Sequence, residues 1–507
     1  MTLAMDTTLV GWSFAIYTLV VIGVGLYATR FGRGDSDDFF LAGRSLGPWV
    51  AALSASASAE SGWVTMGLVG AAFQHGMQTY WIIPGCLIGF MFDWFVMAGP
   101  MAEHARKMGA VTVPDFLALW FRERRPVLRV LSVVIILVSM MAYVGGQLAA
   151  AGTAFHGTFG LQYKYGVLIG AGIVLIYTVT GGFRAVCWTD YAQAVIMVGT
   201  LFAFPLYMLI EYGGYGFISE HLSTAVDESR GVKAGDLMRV LPEASGLGLL
   251  GFLLGSRAMG INFGYPGQPH ILVRFMALKD RSQARKAGVI SAVWTGLIFW
   301  GVITTGLLVR AVYQSGEQWA KPLFEGSASE AGLVVAGLNM LPGVLAGMVL
   351  AAVLSAICST ADSQLIVAAS AVAHDIYARL FGRNARPAQM MWINRIVVLA
   401  LGAGAVRLII DESVSVYKYV LTYAWAMLGA SFGPQIILLL LWRRASYAGC
   451  IAGMGVGFAT AIAWPQLYDA DRWGFEFYNL TAAFIAALMV NVIVSLIVPR
   501  TKSLERE

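Results

Sequence analysis

The sequence predicts an all-α polytopic membrane protein with about 13 transmembrane helices, and three observations carry that reading. Apolar runs of about 20 residues, the length a helix needs to cross a hydrocarbon core, recur from end to end. The chain is 58% hydrophobic and 12% charged, with a mean hydropathy of +0.70, a balance that no soluble domain needs. The runs are continuous rather than alternating, which argues against a transmembrane β-barrel. The lipid bilayer is therefore the first partner. A net charge of +5 belongs to membrane topology and implies no nucleic acid. An obligate protein partner is not legible. Cys86, Cys187, Cys358 and Cys450 are scattered, and their spacing suggests neither a metal site nor a disulfide framework.

The apolar segments lie near 9–28, 46–73, 79–100, 128–155, 164–182, 190–210, 246–269, 287–313, 342–378, 392–410, 414–442, 446–467 and 479–498. The first lacks a basic flank and a small-residue cleavage site, so it reads as a retained helix rather than a signal peptide. With the N-terminus outside, inner loops collect Arg106, Lys107, Arg122, Arg124, Arg125, Lys279, Arg281, Arg285 and Lys286. Outer loops are richer in acids, among them Glu220, Asp236, Glu317 and Glu325. That bias predicts an outside N-terminus and a cytoplasmic C-terminus, in a plasma (inner) membrane. The amphipathic piece Val111 to Phe121 is expected along the inner interface. No soluble domain is legible, so the chemistry must lie within or between helices.

The second segment holds the anomaly. Ala52 to Gly62 reads ALSASASAESG, with four serines, a glutamate and almost no bulk at membrane depth. Small residues there can be a helix-packing face. They can equally be irregular backbone lining a cavity, with hydroxyls and freed carbonyls as cation ligands. The seventh segment is interrupted too: Gly260 to Pro269 holds three glycines and two prolines in ten residues, which no continuous helix tolerates well. Breaks in two segments five apart are the mark of an inverted repeat of five helices plus five, with solute held at the unwound centres.

In the ninth segment, VLSAICSTADSQ, Ala356, Ser359, Thr360 and Ser363 share one helical face, with Asp362 beside it. Hydroxyls and a carboxylate are the hard oxygen ligands that alkali cations prefer. Hydrogen bonding back to their own helix is the plainer role for them. Ionisable residues inside the membrane are functional candidates, and six stand out: Glu60, Asp93, Asp190, Arg257, Arg274 and Asp362. Asp190 and Arg274 fall near expected inner ends, where snorkelling also accounts for them. Asp93 is either a structural hydrogen-bonding group or a cavity residue. Arg257 suits a carboxylate-bearing solute, or else pairs with Glu60 or Asp93, or reaches the outer face.

Five stretches, in order, resemble the sodium/solute symporter family of the sodium/proline type. They are Asp37-DFFLAGRSLGPWVAALSASAS, Ser61-GWVTMGLVGAAF, Gly181-GFRAVCWTDYAQA, Gly264-YPGQPHILVRFMA and Leu354-SAICSTADSQLIVAASAVAHDIY. The resemblance implies the leucine-transporter fold. Helices two to eleven (46–442) would form the transport core, after a leading helix and inner loop (1–45) and before two peripheral helices and a tail (443–507). It implies sodium-driven import, by alternating access, of a small organic solute: an amino acid such as proline, or another carboxylate-bearing solute. Na+ would be the coupling ion, and no organic cofactor is implied. By position, Na+ would meet the backbone carbonyls of Ala57, Glu60 and Ala356 and the hydroxyls of Ser359 and Thr360. The solute region maps onto Ser61, Gly62, Trp63, Tyr143, Gln147, Tyr265, Gln268 and Pro269. Asp190 would join Ser359, Asp362 and Ser363 in a second cation or proton site. The chain departs from the proline pattern at three places: Ala59-Glu60 in place of an Asp, Ile261 in place of a solute-contacting Trp, and Asp362 in place of a hydroxyl residue. The same fold coupled to protons through Glu60, Asp190 or Asp362 is an alternative, as is a solute sensor. The chain carries no HExxH motif and no paired Cys/His cluster, and its Ser-rich helices lack a nearby basic partner, so no catalytic residues and no enzyme are expected.

Overall fold

The computed structural model describes residues 7–30, 40–180, 182–227, 231–241, 248–382, 387–411, 414–469, 472 and 476–498. Of the family motifs, Asp37 to Phe39 and Gly181 lie outside these residues. Among the described residues the regular structure is helical.

Helix α1 (Thr7–Thr29) stands at the margin. Its Trp12, Ile16 and Leu19 are 65%, 59% and 68% exposed, an apolar face that only lipid can satisfy. The second segment starts as α2 (Pro48–Ala59), with Pro48 in its first turn. It stops at Glu60 (φ −98°, ψ 78°), passes a wide turn over Trp63–Leu68 and resumes as α3 (Val69–His75). Next come α4 (Ile82–Phe92) and α5 (Ala98–Met108), joined through a wide turn at Asp93–Met97. Helix α6 (Val113–Trp120) is the expected amphipathic piece: the Thr112 hydroxyl accepts the Asp115 N–H, and Pro114 sits in the first turn.

The long helices α7 (Val127–Phe159), α8 (Tyr163–Thr180) and α9 (Phe183–Tyr212) follow, then a short helix α10 (Tyr215–Ser223). The seventh segment is broken as expected: α11 (Gly248–Gly255), a single turn at Arg257–Gly260, a tight turn over Ile261–Gly267, and α12 (Pro269–Met276). Beyond it lie α13 (Gln283–Gln314), the short α14 (Gly332–Met340), α15 (Gly343–Ser370) and α16 (Pro387–Ile409). The eleventh segment begins at Val416–Tyr419, widens over Val420–Trp425 and continues as α17 (Ala426–Leu441). Helices α18 (Tyr447–Leu467) and α19 (Asn479–Ile497) pack as a pair against α17.

Ten described helices are long and apolar enough to cross a membrane. The expected thirteen differ from this in how interrupted segments are counted. Residues 63–108 run together, the pieces of the seventh segment are short, and the apolar part of α8 covers only Tyr163–Ile176. Helix α2 is central, packed against α9, α12, α13 and α15, and Ala51 to Ser61 are all buried. Its run of alanines and serines is what lets four helices approach one backbone so closely.

Candidate cation and solute site

The break after α2 creates the site. Glu60 N–H still reaches the Ser56 carbonyl at 2.9 Å, but the chain then leaves the helix, so the next carbonyls lose their helical donors. The Ala57 carbonyl instead accepts from Ser359 Oγ at 2.9 Å and Thr360 Oγ1 at 3.4 Å, and the Ser58 carbonyl from Thr360 Oγ1 at 3.1 Å. Ser359 Oγ also reaches the carbonyl of Ala356 at 3.2 Å. Ala57, Ala356, Ser359 and Thr360 are thus brought together from α2 and α15, all with no exposure. Such a ring of carbonyl and hydroxyl oxygens in a dry interior can hold a bare alkali cation. Glu60, the other expected ligand, is the residue at which the helix ends, and it is buried.

One turn away lies a charged cluster. Asp190 (α9) and Arg274 (α12) are both fully buried, and Arg274 Nη2 stands 2.9 Å from Asp190 Oδ2. Snorkelling to the inner interface, one reading of these two residues, is corrected by this pairing: neither side chain reaches a surface. Ser54 Oγ donates to Asp190 Oδ2 at 2.6 Å and Ser58 Oγ at 3.3 Å. Arg274 donates to Ser363 Oγ at 2.5 Å, to Ser54 Oγ at 3.0 Å and to the carbonyl of His270. Ser363 Oγ lies 3.2 Å from Asp362 Oδ1 and 3.0 Å from Ser58 Oγ. Asp190, Asp362 and Ser363 are therefore one cluster, shared by the two broken segments and helices α9 and α15. Its cation is a guanidinium.

The other side of the break is aromatic. Gln147 (α7) holds the unwound backbone: its Oε1 accepts the Gly62 N–H at 2.8 Å and its Nε2 donates to Ser61 Oγ at 3.1 Å. A Cβ on Gly62 would meet Ala150 Cβ at 2.6 Å, so the backbone must be bare for α7 to approach. Trp63 lies against Phe299, Tyr417 and Trp425, with ring centroids 5.8, 6.4 and 6.5 Å away. Trp425 also meets Tyr143 at 6.4 Å and Tyr265 at 4.9 Å, and its indole N–H donates to the Ile261 carbonyl at 3.2 Å. Gln268 Nε2 donates to the carbonyls of Gly264 (3.1 Å) and Trp425 (3.2 Å), and Pro269 opens α12. So Gln147 and Trp425 tie Ser61, Gly62, Trp63, Tyr143, Ile261, Tyr265 and Gln268 together around the break, and Pro269 follows at the start of α12.

Arg257 does not join them. It is 22% exposed at the side chain, 3.4 Å from Glu476 and over the rings of Tyr417 and Tyr478. Asp93 is fully buried, and its carboxyl oxygens have no hydrogen-bond partner among the described residues.

Sequence reasoning missed Trp425 and His270 in the aromatic wall, because one more Trp or His in an apolar run is no signal by itself. It also missed two polar clasps. In one, Arg129 (α7) binds Asp115 (2.8 Å) and Asp375 together, and Thr112 donates to Asp375 at 2.6 Å. His374 and Arg379 each lie 3.4 Å from Asp115. Burial pushes the Asp115 carboxyl up, but His374, Arg129 and Arg379 outweigh it and hold it well below the usual range. Asp115, His374 and Asp375 could geometrically surround a metal ion, yet two guanidiniums already engage the carboxylates, so the cluster is an ion-pair clasp. In the other, Glu330 accepts from Ser415 Oγ (2.7 Å) and from the N–H groups of Val416 (2.9 Å) and Tyr417 (3.3 Å), capping the eleventh segment from a distant loop.

A broken helix that meets an intact one at a buried set of oxygens, with a second broken helix packed beside it, is the architecture of a secondary transporter of the leucine-transporter type. The chain belongs to the sodium:solute symporter family, whose model matches residues 39–457. It is 34% identical over 486 residues to the sodium/proline symporter of Salmonella typhimurium, covering 96% of this chain and 92% of that one. It is 35% identical to the high-affinity proline transporter PutP of Bacillus subtilis over 476 residues, covering 94% and 95%. Among solved structures, a Na+-coupled sialic acid symporter in a substrate-bound, outward-open state superposes with a TM-score of 0.76 at 18% identity, covering 98% and 99%. That likeness speaks to the fold. The protein is a sodium-coupled membrane symporter of a small solute, and not an enzyme.

Proposed function

We propose that this symporter imports a small amino acid of the proline kind, with Na+ bound by the Ala57, Glu60 and Ala356 carbonyls and the Ser359 and Thr360 hydroxyls. One observation carries the ion site: two hydroxyls from an intact helix meet the Ala57 carbonyl that a broken helix has freed. The solute lies against Ser61 to Trp63, Tyr143, Gln147, Ile261, Tyr265, Gln268 and Pro269, beside the ion, so each stabilises the other's binding. Arg257, with Glu476, lines the outer approach to that region. Asp190, Asp362 and Ser363 form a second polar station, where Arg274 supplies the positive charge that a second Na+ or a proton would otherwise bring. The transport core is 46–442, flanked by 1–45 and 443–507. The chain lies in the plasma membrane with its N-terminus outside and C-terminus inside, and the reading calls for no organic cofactor. Its nearly full-length resemblance to proteins named as proline transporters supports the solute class.

Radiolabelled proline uptake into proteoliposomes tests the proposal. An inward Na+ gradient should drive accumulation and a K+ gradient should not; equal uptake under both would reject it. Ser359→Ala and Thr360→Ala should each raise the Na+ concentration for half-maximal uptake by about tenfold, since a lost ligand is worth about 1.4 kcal/mol.

A further inference from the structure

A cavity of about 270 Å³ lies away from the ion and solute site, between the end of the second segment and the loop that precedes the seventh. Gln74 and His75 close α3, roughly 16 Å along the segment from Trp63, and Gln78 stands in the turn that follows. Lys233, Asp236 and Arg239 make the opposite wall. The loop is built onto the segment. Asp227 and Val232 exchange backbone hydrogen bonds at 2.9 Å, and the Trp81 indole N–H donates to the Val240 carbonyl at 2.9 Å. Leu237 is buried, and a Cβ on Gly76 would stand 2.1 Å from its carbonyl oxygen. Gly76, at φ +68°, supplies both the left-handed turn and the bare backbone that this approach needs.

Charge in the cavity wall is unequal. Asp236, the one acid among the lining residues, is used within the loop: its Oδ2 accepts the Lys233 N–H at 2.7 Å, and its Oδ1 lies 3.3 Å from Arg239 Nη2. The same wall carries the Lys233 ammonium and the Arg239 guanidinium, and the segment brings the His75 imidazole and the Gln78 amide. Donors thus come from two directions. A planar carboxylate is satisfied by a single guanidinium, whereas a tetrahedral phosphate offers oxygens to both walls at once and carries up to about two charges near neutral pH.

We propose that this cavity is an anion site that takes a phosphate group, either free in solution or on a lipid headgroup, and that the bound group bridges the loop before the seventh segment and the end of the second. Lys233 and Arg239 hold it from one wall, His75 and Gln78 from the other. A phosphate held by both walls favours the arrangement in which they stand together, by as much as its affinity differs between the arrangements. The site is independent of the Na+ and solute assignments.

Equilibrium binding of radiolabelled phosphate to the lipid-stripped full chain, at fixed Na+ concentration and ionic strength, tests this. Binding should saturate. Lys233→Gln should weaken it by about tenfold and Gln78→Ala by about threefold, one variant from each wall. Na+-driven proline uptake by both variants, reconstituted without phosphate in phosphate-free glycolipid, should stay within about twofold of wild type, which shows that they fold. Phosphatidylglycerol that displaces phosphate, where a phosphate-free glycolipid does not, assigns the headgroup as the occupant. No displacement by either assigns the free ion. Equal affinity in Lys233→Gln and wild type overturns the site, and an unchanged Gln78→Ala overturns the bridge. Neither phosphate binding nor preferential retention of phosphatidylglycerol, in protein still active in Na+-driven uptake, overturns the proposal altogether.

Discussion

The Asp190–Arg274 pair gives the sharpest quantitative expectation. Arg274→Met removes donors to Asp190 Oδ2 (2.9 Å), Ser363 Oγ (2.5 Å), Ser54 Oγ (3.0 Å) and the His270 carbonyl, all in a fully buried setting. Asp190 would keep only the Ser54 and Ser58 hydroxyls, at 2.6 and 3.3 Å, with Asp362 close by and no cation. Stranding a buried charge in this way costs about 3–5 kcal/mol. Asp190→Asn strands the guanidinium at similar cost. The double variant removes both charges together, so its loss should fall well short of the sum. The resulting coupling energy should be about 2–3 kcal/mol, the upper end for residues in direct contact. Reversible unfolding of the purified protein in mixed micelles, titrated with SDS, measures all three free energies. Single effects that add to the double within about 0.5 kcal/mol would refute the claim that the pair is mutually neutralising.

Two further expectations concern the clasps at the membrane faces. Arg129→Met leaves Asp115 and Asp375 buried without their shared guanidinium, and should cost about 3–5 kcal/mol in the same titration; a loss under about 1 kcal/mol would show that His374 and Arg379 suffice. At the Glu330 clasp, burial raises the carboxyl above its ordinary value of 4.5, against the pull of its bonds from Ser415, Val416 and Tyr417. A carboxyl raised on folding binds protons more readily in the folded state, so its contribution is present below about pH 4.5 and is lost as pH climbs through the raised value. Midpoints of thermal unfolding between about pH 4 and 8 should show that loss in the wild type and not in Glu330→Gln, and identical profiles would refute the assignment.

The fold was legible because its signals are local. Gly260, Gly264, Gly267 and Pro266 prevent a continuous helix wherever they stand, and the break appears there. That Ser359 and Thr360 share a face with Ala356 was legible because helical periodicity alone puts them there. Arg257 shows the limit. A guanidinium in an apolar run has many possible partners, and the one it finds, Glu476, is far away in sequence and exposed. Trp425 likewise became part of the aromatic wall beside the break only because Gly264 lets its indole press against bare backbone.

Composition and periodicity determined by themselves that this chain is a membrane bundle with two broken helices and an oxygen-rich face on a third, since those follow from how each residue treats lipid and its own backbone. The tertiary structure alone decided which charges neutralise one another. Asp190 meets Arg274 across 84 residues and Asp115 meets Asp375 through Arg129, while Glu60 is left with no counter-charge among the described residues. Electrostatic pairing depends on distance and dielectric in three dimensions, and neither is written in the spacing of residues along the chain.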